Sequence, residues 1–183
     1  MTDKNKSMIR KAASPDIARC PWPGVSDPIY ARYHDTEWGV PLTESRALFE
    51  KLVLEGFQSG LSWLTILKKR ENFRKAFDGF DAARIAKYGA KDIARLMDDA
   101  GIVRNKLKIE ATIDNARAYL ALSKNMPFAD FIWGHLDGPP QQNRLQTLKD
   151  SPAQTDLSKR ISKALKTQGF RFVGPTTVYA FMQ

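Results

Sequence analysis

Residues 157–183 read LSKRISKALKTQGFRFVGPTTVYAFMQ, and this stretch decides the fold. A helical pattern over residues 157–167 is followed by a very short connection, GFRFVG, and by a second helical segment that begins at Pro175. Gly169 and Gly174 bound the connection, and glycine permits unusual dihedral angles and a close approach of the backbone to a ligand. The stretch therefore predicts a helical hairpin with a tight turn.

This hairpin has the chemistry of a phosphate clamp. A helix that begins with Pro175 offers unpaired backbone amides to an anion, and several lysines and Arg171 lie nearby. Such an element fixes the position of a DNA backbone without reading its sequence. The alternative, an ordinary helical hairpin with a glycine C-cap, stays open at this point. The DNA-backbone residues predicted here are Lys166, Gly169, Phe170, Gly174 and Thr176.

Helical signals also dominate the rest of the chain. The FRFV segment alternates like a strand, but it lasts four residues between two helices, so the predicted fold is all-α. A loop is expected over residues 137–150, where two prolines are adjacent. The first two other predicted helices are one near residues 29–34, capped by Asp27, and one capped by Thr43, whose end Gly56 and Gly60 loosen. A helix over residues 61–77 follows, then a short one opened by Asp81 and closed by Gly89, and another short one that ends at Gly101. The last two are one over residues 105–122 and one that starts at Pro127.

The composition limits the classes of protein and partner. A chain of 183 residues with 43% hydrophobic residues can build one domain or two tightly packed lobes. Its net charge of +9 suits a polyanion, either nucleic acid or an acidic membrane surface. Residues 1–17 are predicted to form a flexible basic tail, which lacks the apolar core of a signal peptide, and residues 18–183 a helical domain. With Cys20 as the only cysteine, and no membrane-length apolar run, we expect a soluble cytoplasmic protein.

Aromatic side chains and one carboxylate are concentrated between Trp22 and Trp63. Glu55 lies in the apolar segment LVLEGFQSGLSW, where burial without a partner would be costly. It is expected either at a helix edge in solvent or in a pocket. Trp63 would lie about two turns further along the same side if the helix continued. A purine, and better a cationic purine, would fit such a cluster through stacking, cation–π attraction and a charge interaction. The alternative is that these aromatic residues form a core.

Other sites have little support in the sequence. Cys20 and His34 are two possible soft metal ligands, and His135 is the one further histidine. These residues do not predict a closed four-ligand zinc site. Phosphate-binding, serine-hydrolase and paired-histidine metal motifs are absent from the sequence.

The sequence resembles the 3-methyladenine DNA glycosylase I family, within the helix–hairpin–helix glycosylase superfamily. The resemblance extends from Cys20 to Gln183 and rests on several long segments in order. These are CPW, SDPIYARYHDTEWGVP, LEGFQSGLSWLTILKKRENFRKAF, DDAGIVRNKLKIEATIDNARAYL and ISKALKTQGFRFVGPTTVYAFMQ. It implies a two-lobed helical domain with the base pocket in the cleft between the lobes.

The resemblance also implies roles for individual residues. Glu55 matches the pocket carboxylate that recognises the methylated adenine. Tyr33 and Trp63 match aromatic residues that contact or stack on the base, and Tyr30 and Trp38 belong to the same motif. The connection from Gly169 to Gly174 matches the clamp on the DNA backbone.

The implied reaction is monofunctional hydrolysis of the N-glycosidic bond of 3-methyladenine in alkylated duplex DNA, in which water displaces the base. It needs no cofactor for the chemistry, and the protein is expected to act as a monomer. Family members also bind a structural zinc ion, two of whose four ligands match Cys20 and His34. The others belong to a tail that follows the position of Gln183.

Two other classes of function compete with this one. The main alternative is a non-enzymatic helix–hairpin–helix DNA-binding protein that uses only the hairpin and the basic surface. A membrane-surface protein would need a long amphipathic cationic helix, and none stands out in the sequence.

Overall fold

The structure, a computed structural model, describes residues 17–143, 145 and 147–183. The predicted basic tail lies, except for Ile17, outside the described residues. All regular structure in these ranges is helical and no strand is present there, which confirms the all-α fold. Within the same ranges, no helix is long and apolar enough to cross a membrane.

The chain forms two compact units, one ending at Val40 and one spanning Pro41–Gln183. The first unit contains helix α1, Pro28–Thr36. Its start agrees with the prediction, because the Asp27 side chain accepts a hydrogen bond from the Ile29 N–H and Pro28 occupies the first turn. The predicted division of the chain after residue 17 stays a prediction.

The second unit contains the remaining helices and both short 3₁₀ turns. The predicted loop over residues 137–150 includes one of these turns. The helices are α2 (Ser45–Gln58), α3 (Trp63–Ala76), α4 (Ala82–Ile85), α5 (Ala90–Asp98), α6 (Lys106–Ser123), α7 (Phe128–Trp133), α8 (Asp156–Thr167) and α9 (Pro175–Met182), and the 3₁₀ turns are Asp78–Phe80 and Leu148–Asp150.

Two helix starts differ from the predictions because a neighbouring polar residue caps the helix. Helix α2 is capped by Glu44 and not by Thr43, because the longer carboxylate accepts hydrogen bonds from the Arg46 and Ala47 N–H groups. Helix α3 begins two residues later than predicted, where the Ser62 hydroxyl accepts from the Thr65 N–H. A polar side chain that satisfies an open helix terminus thus decides the boundary in both cases.

Two glycines also have other roles than predicted. Gly56 does not loosen the end of α2 but lies inside the helix, which continues to Gln58. Gly89 does not close α4; it is the N-cap of α5, and its N–H donates to the Asp92 carboxylate.

Helix α2 lies at the centre of the second unit and packs against α3, α6, α7 and α9. Nearly every residue of its second half is buried. One apolar core joins α2 to α6, α7 and the hairpin α8–α9. A second, aromatic core lies towards α3 and α4, and its rings are Phe57, Phe73, Phe77, Phe80 and Tyr88.

Candidate functional site

Glu55 is a charged residue in the buried half of α2, and only 3% of its surface is exposed. Its Oε1 lies 2.7 Å from the ammonium group of Lys51, one helical turn earlier. Burial raises the pKa of the Glu55 carboxyl, and the charge of Lys51 and its hydrogen bond oppose that rise. Oε2 is buried and has no hydrogen-bond partner among the described residues. One oxygen of the carboxylate is therefore paired, and the other is a buried acceptor that is unpaired within the described chain.

Trp63 is not on the same helix as Glu55, because α2 ends at Gln58 and Trp63 is the first residue of α3. The two residues are nevertheless brought together by Lys51, whose ammonium nitrogen lies 4.1 Å from the centroid of the Trp63 ring. Sequence reasoning missed Lys51. Its position four residues before a carboxylate on a helix is the spacing of a helical ion pair and was the available signal.

The turn that joins α2 to α3 is held by a buried lysine, Lys108. The Lys108 ammonium, from α6, donates hydrogen bonds of 2.8 Å to the Phe57 carbonyl and 2.6 Å to the Ser59 carbonyl. Burial lowers the pKa of this amine. A cation at the C-terminus of α2 satisfies carbonyls that the helix leaves open, so it fixes the end of the helix that carries Glu55.

The hairpin turn between α8 and α9 is anchored by its apolar residues. Gly169 has a φ of +89°, which is the conformational reason for a glycine there. The side chain of Phe170 is only 3% exposed and stacks on Phe128, so it belongs to the core. Its N–H donates to the Leu165 carbonyl at 3.0 Å, so the DNA contact predicted for Phe170 stays a prediction.

A polar clamp fixes the same turn against α6. Asn115 accepts a hydrogen bond of 2.7 Å from the Arg171 N–H and donates one of 3.0 Å to the Arg171 carbonyl. The next residue, Phe172, has a φ of +55°. The amide of Asn115 is itself buried. It therefore satisfies both backbone groups of a residue in an irregular segment.

The outer side of the hairpin is open. Gly174 has an ordinary φ of −62°, and no atom lies within 4 Å of the position that a Cβ would take. Neither conformation nor packing inside the chain requires glycine here, so its absence of a side chain leaves the N-terminus of α9 accessible. Thr176, in the first turn of α9, and Lys166, in the last turn of α8, are exposed. These are features that a phosphate group requires.

The hairpin turn and the Glu55 helix touch each other directly. A Cβ on Gly56 would lie 3.3 Å from the Cβ of Phe172, which is tighter than ordinary van der Waals contact. Glycine at this position lets the hairpin turn approach α2 beside Glu55. Gly56, which follows Glu55 in α2, thus packs against Phe172 of the hairpin turn. This contact joins the helix of the predicted recognition carboxylate to the predicted DNA clamp.

The first unit contains a cluster of aromatic rings around Trp22. The Trp22 ring centroid lies 5.2 Å from Tyr30, 5.0 Å from His34 and 4.8 Å from Trp38. Tyr33 is buried, and its ring lies 6.3 Å from that of Tyr30. The predicted base-contacting residues Tyr30, Tyr33 and Trp38 are therefore neighbours within this unit. Trp22, which was not singled out as a site residue, contacts Tyr30 and Trp38.

Cys20 and His34 are also neighbours, since the Cys20 N–H donates to His34 Nε2 at 3.2 Å. The other ring nitrogen of His34 lies 3.1 Å from Asp35, which forms an ion pair with Arg19. Among the described residues, no group of three or more His, Cys, Asp or Glu side chains could hold a metal ion. These residues alone do not form the four-ligand zinc site that the resemblance implies.

Comparison with known proteins gives consistent matches. Residues 22–183 match the family model for methyladenine glycosylase. The DNA-3-methyladenine glycosylase 1 of Escherichia coli strain K12 is 51% identical over 168 residues, which are 91% of this chain and 89% of that relative.

Two solved structures extend the likeness to the fold. A crystal structure of a 3-methyladenine DNA glycosylase I has a TM-score of 0.88 and 51% identity, and covers 91% of both chains. A Staphylococcus aureus 3-methyladenine DNA glycosylase I, whose structure addresses 3-methyladenine recognition, has a TM-score of 0.83 and 41% identity over 87% of this chain and 85% of that one.

Proposed function

The chain belongs to the methyladenine glycosylase family, and on that premise we propose that it removes 3-methyladenine from alkylated duplex DNA in base-excision repair. It is a DNA-3-methyladenine glycosylase, a hydrolase of N-glycosyl bonds. In this proposal Glu55 recognises the base and the hairpin α8–α9 holds the DNA backbone.

The observation that carries the proposal is the state of Glu55. A carboxylate that is 3% exposed, with one oxygen bound to Lys51 and the other without a partner in the described chain, is costly to keep unless a ligand uses it. A methylated adenine carries a positive charge and N–H donors. A carboxylate can only accept hydrogen bonds, so it suits this ligand in charge and in hydrogen bonding.

The chemistry follows from the substrate. Methylation at N3 makes the adenine cationic and weakens its bond to the sugar, so the leaving group needs no prior protonation. A water oxygen forms a bond to C1′ as the C1′–N9 bond breaks. The base leaves as neutral 3-methyladenine, and the water gives up one proton to solvent. Glu55 therefore serves in recognition and electrostatic stabilisation and does not act as a general acid.

The enzyme must also take the nucleotide out of the base stack, which costs a few kcal/mol, on the order of the stacking energy lost. Contacts with the DNA backbone help to offset this cost. We assign them to the backbone of Gly174 and to the exposed side chains of Lys166 and Thr176. Gly169 and Phe170, whose N–H groups donate to the Lys166 and Leu165 carbonyls, are assigned to shaping the turn. Stacking on the extruded base is assigned to Trp63 of the second unit. Tyr33 of the first unit is assigned to the same role, and its neighbours Tyr30 and Trp38 are assigned to base contacts.

The proposal is tested by incubating the protein with alkylated DNA and separating the released bases by chromatography. Release of 3-methyladenine should exceed the spontaneous background. Protein heated until it is inactive provides the matched blank. If release stays at the background rate, the enzymatic proposal is wrong for this chain.

The alternative, a DNA-binding protein without enzymatic activity, is separated by Glu55→Ala. An enzyme should lose base release with this change and keep salt-sensitive binding to duplex DNA, because the hairpin is unchanged. A protein that only binds DNA would show no base release before or after the substitution.

We propose no chemical role for a metal ion. Cys20 and His34 would supply two ligands of a structural zinc ion, and the chemistry derived above needs none. Dialysis against a chelator should therefore leave the rate of base release within about twofold of the untreated enzyme, if the fold persists. Loss of release that added zinc restores, while helicity is unchanged, would contradict this.

The proposed active form is a cytoplasmic monomer. Light scattering coupled to size-exclusion chromatography should give a mass close to the 20.7 kDa of one chain. A stable dimer mass at assay concentration would contradict the monomer.

A further inference from the structure

Lys51 occupies the position that links the two groups assigned to base recognition. Its ammonium nitrogen is 2.7 Å from Glu55 Oε1 and 4.1 Å from the centroid of the Trp63 ring. These are the contacts of a charge-assisted hydrogen bond and of a cation–π interaction. The positively charged Lys51 side chain therefore contacts both Glu55 and Trp63. It is close enough to Glu55 to influence whether that carboxyl group is ionised, which matters for the proposed function.

The two oxygens of Glu55 are made unequal by this contact. Oε1 is bound to Lys51, whereas Oε2 is buried and accepts no hydrogen bond from the described residues. The Lys51 side chain is 18% exposed, so it retains partial contact with water, and the Glu55 side chain is 3% exposed. The carboxylate is therefore held at Oε1 by Lys51, and Oε2 is left as a buried acceptor without a partner in the described chain.

The ionisation state of Glu55 decides what that acceptor can bind. An ionised carboxylate only accepts hydrogen bonds, whereas a protonated carboxyl group can also donate one and carries no charge. Burial favours the neutral form, and the charge and hydrogen bond of Lys51 favour the ionised form. Without the ammonium group, the same buried site would favour an uncharged carboxyl that can pair with neutral bases.

We propose that Lys51 is a positioning and specificity-determining residue of the base pocket: it holds Glu55 as an oriented carboxylate, with Oε1 bound and Oε2 presented to a cationic, hydrogen-bond-donating base. This inference rests on the proposed function and names a residue on which its selectivity depends. Lys51 acts through Glu55 and takes no part in bond breaking.

The test compares Lys51→Met, which keeps much of the side-chain bulk without the charge, with Lys51→Arg, which keeps the charge. Lys75→Met, at the exposed end of α3, removes a positive charge elsewhere and is the matched control. The first measurement is made on the protein without any nucleobase ligand. Carbon-13 NMR of glutamate-labelled protein at pH 7, with the Glu55 resonance assigned through Glu55→Gln, should give a carboxylate shift in wild type and Lys51→Arg, and a shift towards the protonated form in Lys51→Met.

The second measurement is 3-methyladenine release from alkylated DNA. Lys51→Met should lower kcat/KM by about tenfold for each unit by which the pKa of Glu55 passes the assay pH. Lys51→Arg should restore most of the rate and Lys75→Met should leave it unchanged. Lys51→Met should also lose preference for a permanently cationic 3,9-dimethyladenine over neutral 9-methyladenine in direct binding, while thermal melts report whether each variant is folded.

Three results would overturn the inference. Glu55 could stay fully ionised in folded Lys51→Met, Lys51→Arg could fail to restore release although it is folded, or Lys51→Met could bind the cationic base more tightly, which would make Lys51 a competitor of the base. A wild-type protein that releases no 3-methyladenine would refute the proposed function, and the base-free NMR comparison would still decide whether Lys51 holds Glu55 ionised.

Discussion

The Glu55 end of α2 and the hairpin turn between α8 and α9 are in contact, yet they are built in opposite ways. Around Glu55, apolar residues isolate one carboxylate from water, and Lys51 supplies its balancing charge. At the hairpin, apolar residues such as Phe170 are buried and leave backbone and cationic side chains on the outside. The first region buries a single carboxylate, and the second exposes several groups that can each make a weak contact with DNA.

This difference indicates that selectivity for the base and affinity for DNA depend on separate residues. An interaction inside a dry site is strong and depends on charge state, whereas contacts with phosphates in water are individually weak and sensitive to salt. Changes near Glu55 should therefore affect which base is released, and changes in the hairpin should affect how well any DNA is held. The Gly56–Phe172 contact joins the two regions.

The largest expected effect comes from Glu55→Gln, which removes the charge and keeps the shape. Base release should fall about 100-fold, the rate equivalent of one lost charge-assisted hydrogen bond. DNA affinity should be unchanged, which a binding titration on undamaged duplex checks. Loss of release and affinity together would mean that the two regions are not separable.

The same substitution should make the protein more stable at neutral pH. The folded-state pKa of Glu55 is raised above 4.5, its ordinary value, so Glu55 begins to cost stability as the pH rises past 4.5, and the cost is complete above the folded pKa. Glutamine should remove that cost, on the order of 1 kcal/mol per unit of pKa shift, or about 2–4 °C in Tm. Below pH 4.5 both proteins are uncharged at this position, so the difference between their melting curves should vanish there.

The loss of activity at low pH should be set by the pKa of Glu55. Because the base is cationic and Glu55 must be ionised to pair with it, release should fall about tenfold per pH unit below the raised pKa of Glu55. That fall should begin above 4.5, the ordinary glutamate value. Single-turnover release, corrected for spontaneous loss of the base at each pH, measures it. A rate that stays flat down to that pH would show that the charge of Glu55 is not needed.

The two hairpin glycines should respond differently to alanine. Gly169→Ala should lower the free energy of unfolding by about 1 kcal/mol, because its φ of +89° strains any other residue. Gly174→Ala should change stability by less than about 0.5 kcal/mol, because its surroundings are open. It should instead weaken DNA binding several-fold by blocking the N-terminus of α9. Equal effects of the two changes on both quantities would contradict the assignment.

The smallest expected effect is that of single lysines on the surface. Lys166→Ala should weaken duplex binding about three- to tenfold and reduce the slope of log affinity against log salt by about 1. Lys91→Ala, at the exposed start of α5, removes the same charge away from the hairpin. If Lys91→Ala weakens binding as much as Lys166→Ala, the hairpin is not a specific DNA-binding site. The overall positive charge of the protein would then account for the affinity.

The helices and the hairpin were predictable because their signals are local. Periodic apolar residues, Asp27 with Pro28, and the glycine-rich turn after Thr167 each act within a few positions of the chain. The cap at Thr43 was predicted wrongly because Thr43 and Glu44 are adjacent polar residues that could both accept from the same backbone N–H groups, and Glu44 does so. Lys51 was also within reach of the sequence, since it pairs with Glu55 at helical spacing.

The contacts that fix the site geometry were not predictable from local pattern. Lys108 reaches the Phe57 carbonyl across 51 residues of sequence, and Asn115 reaches Arg171 across 56. Nothing in the residues next to Lys108 or Asn115 identifies the backbone groups they bind. Such pairings depend on how α6 packs against α2 and the hairpin, which follows from the whole fold and not from any one segment.

The central claim is that the charge of Glu55 recognises the charge of the base. Calorimetric titration with permanently cationic 3,9-dimethyladenine and neutral 9-methyladenine tests it most directly, in wild type and in Glu55→Gln. The wild-type protein should prefer the cation by about tenfold or more, as expected for a charge-assisted contact, and Glu55→Gln should bind both with similar affinity. An undiminished preference for the cation in folded Glu55→Gln would contradict the account.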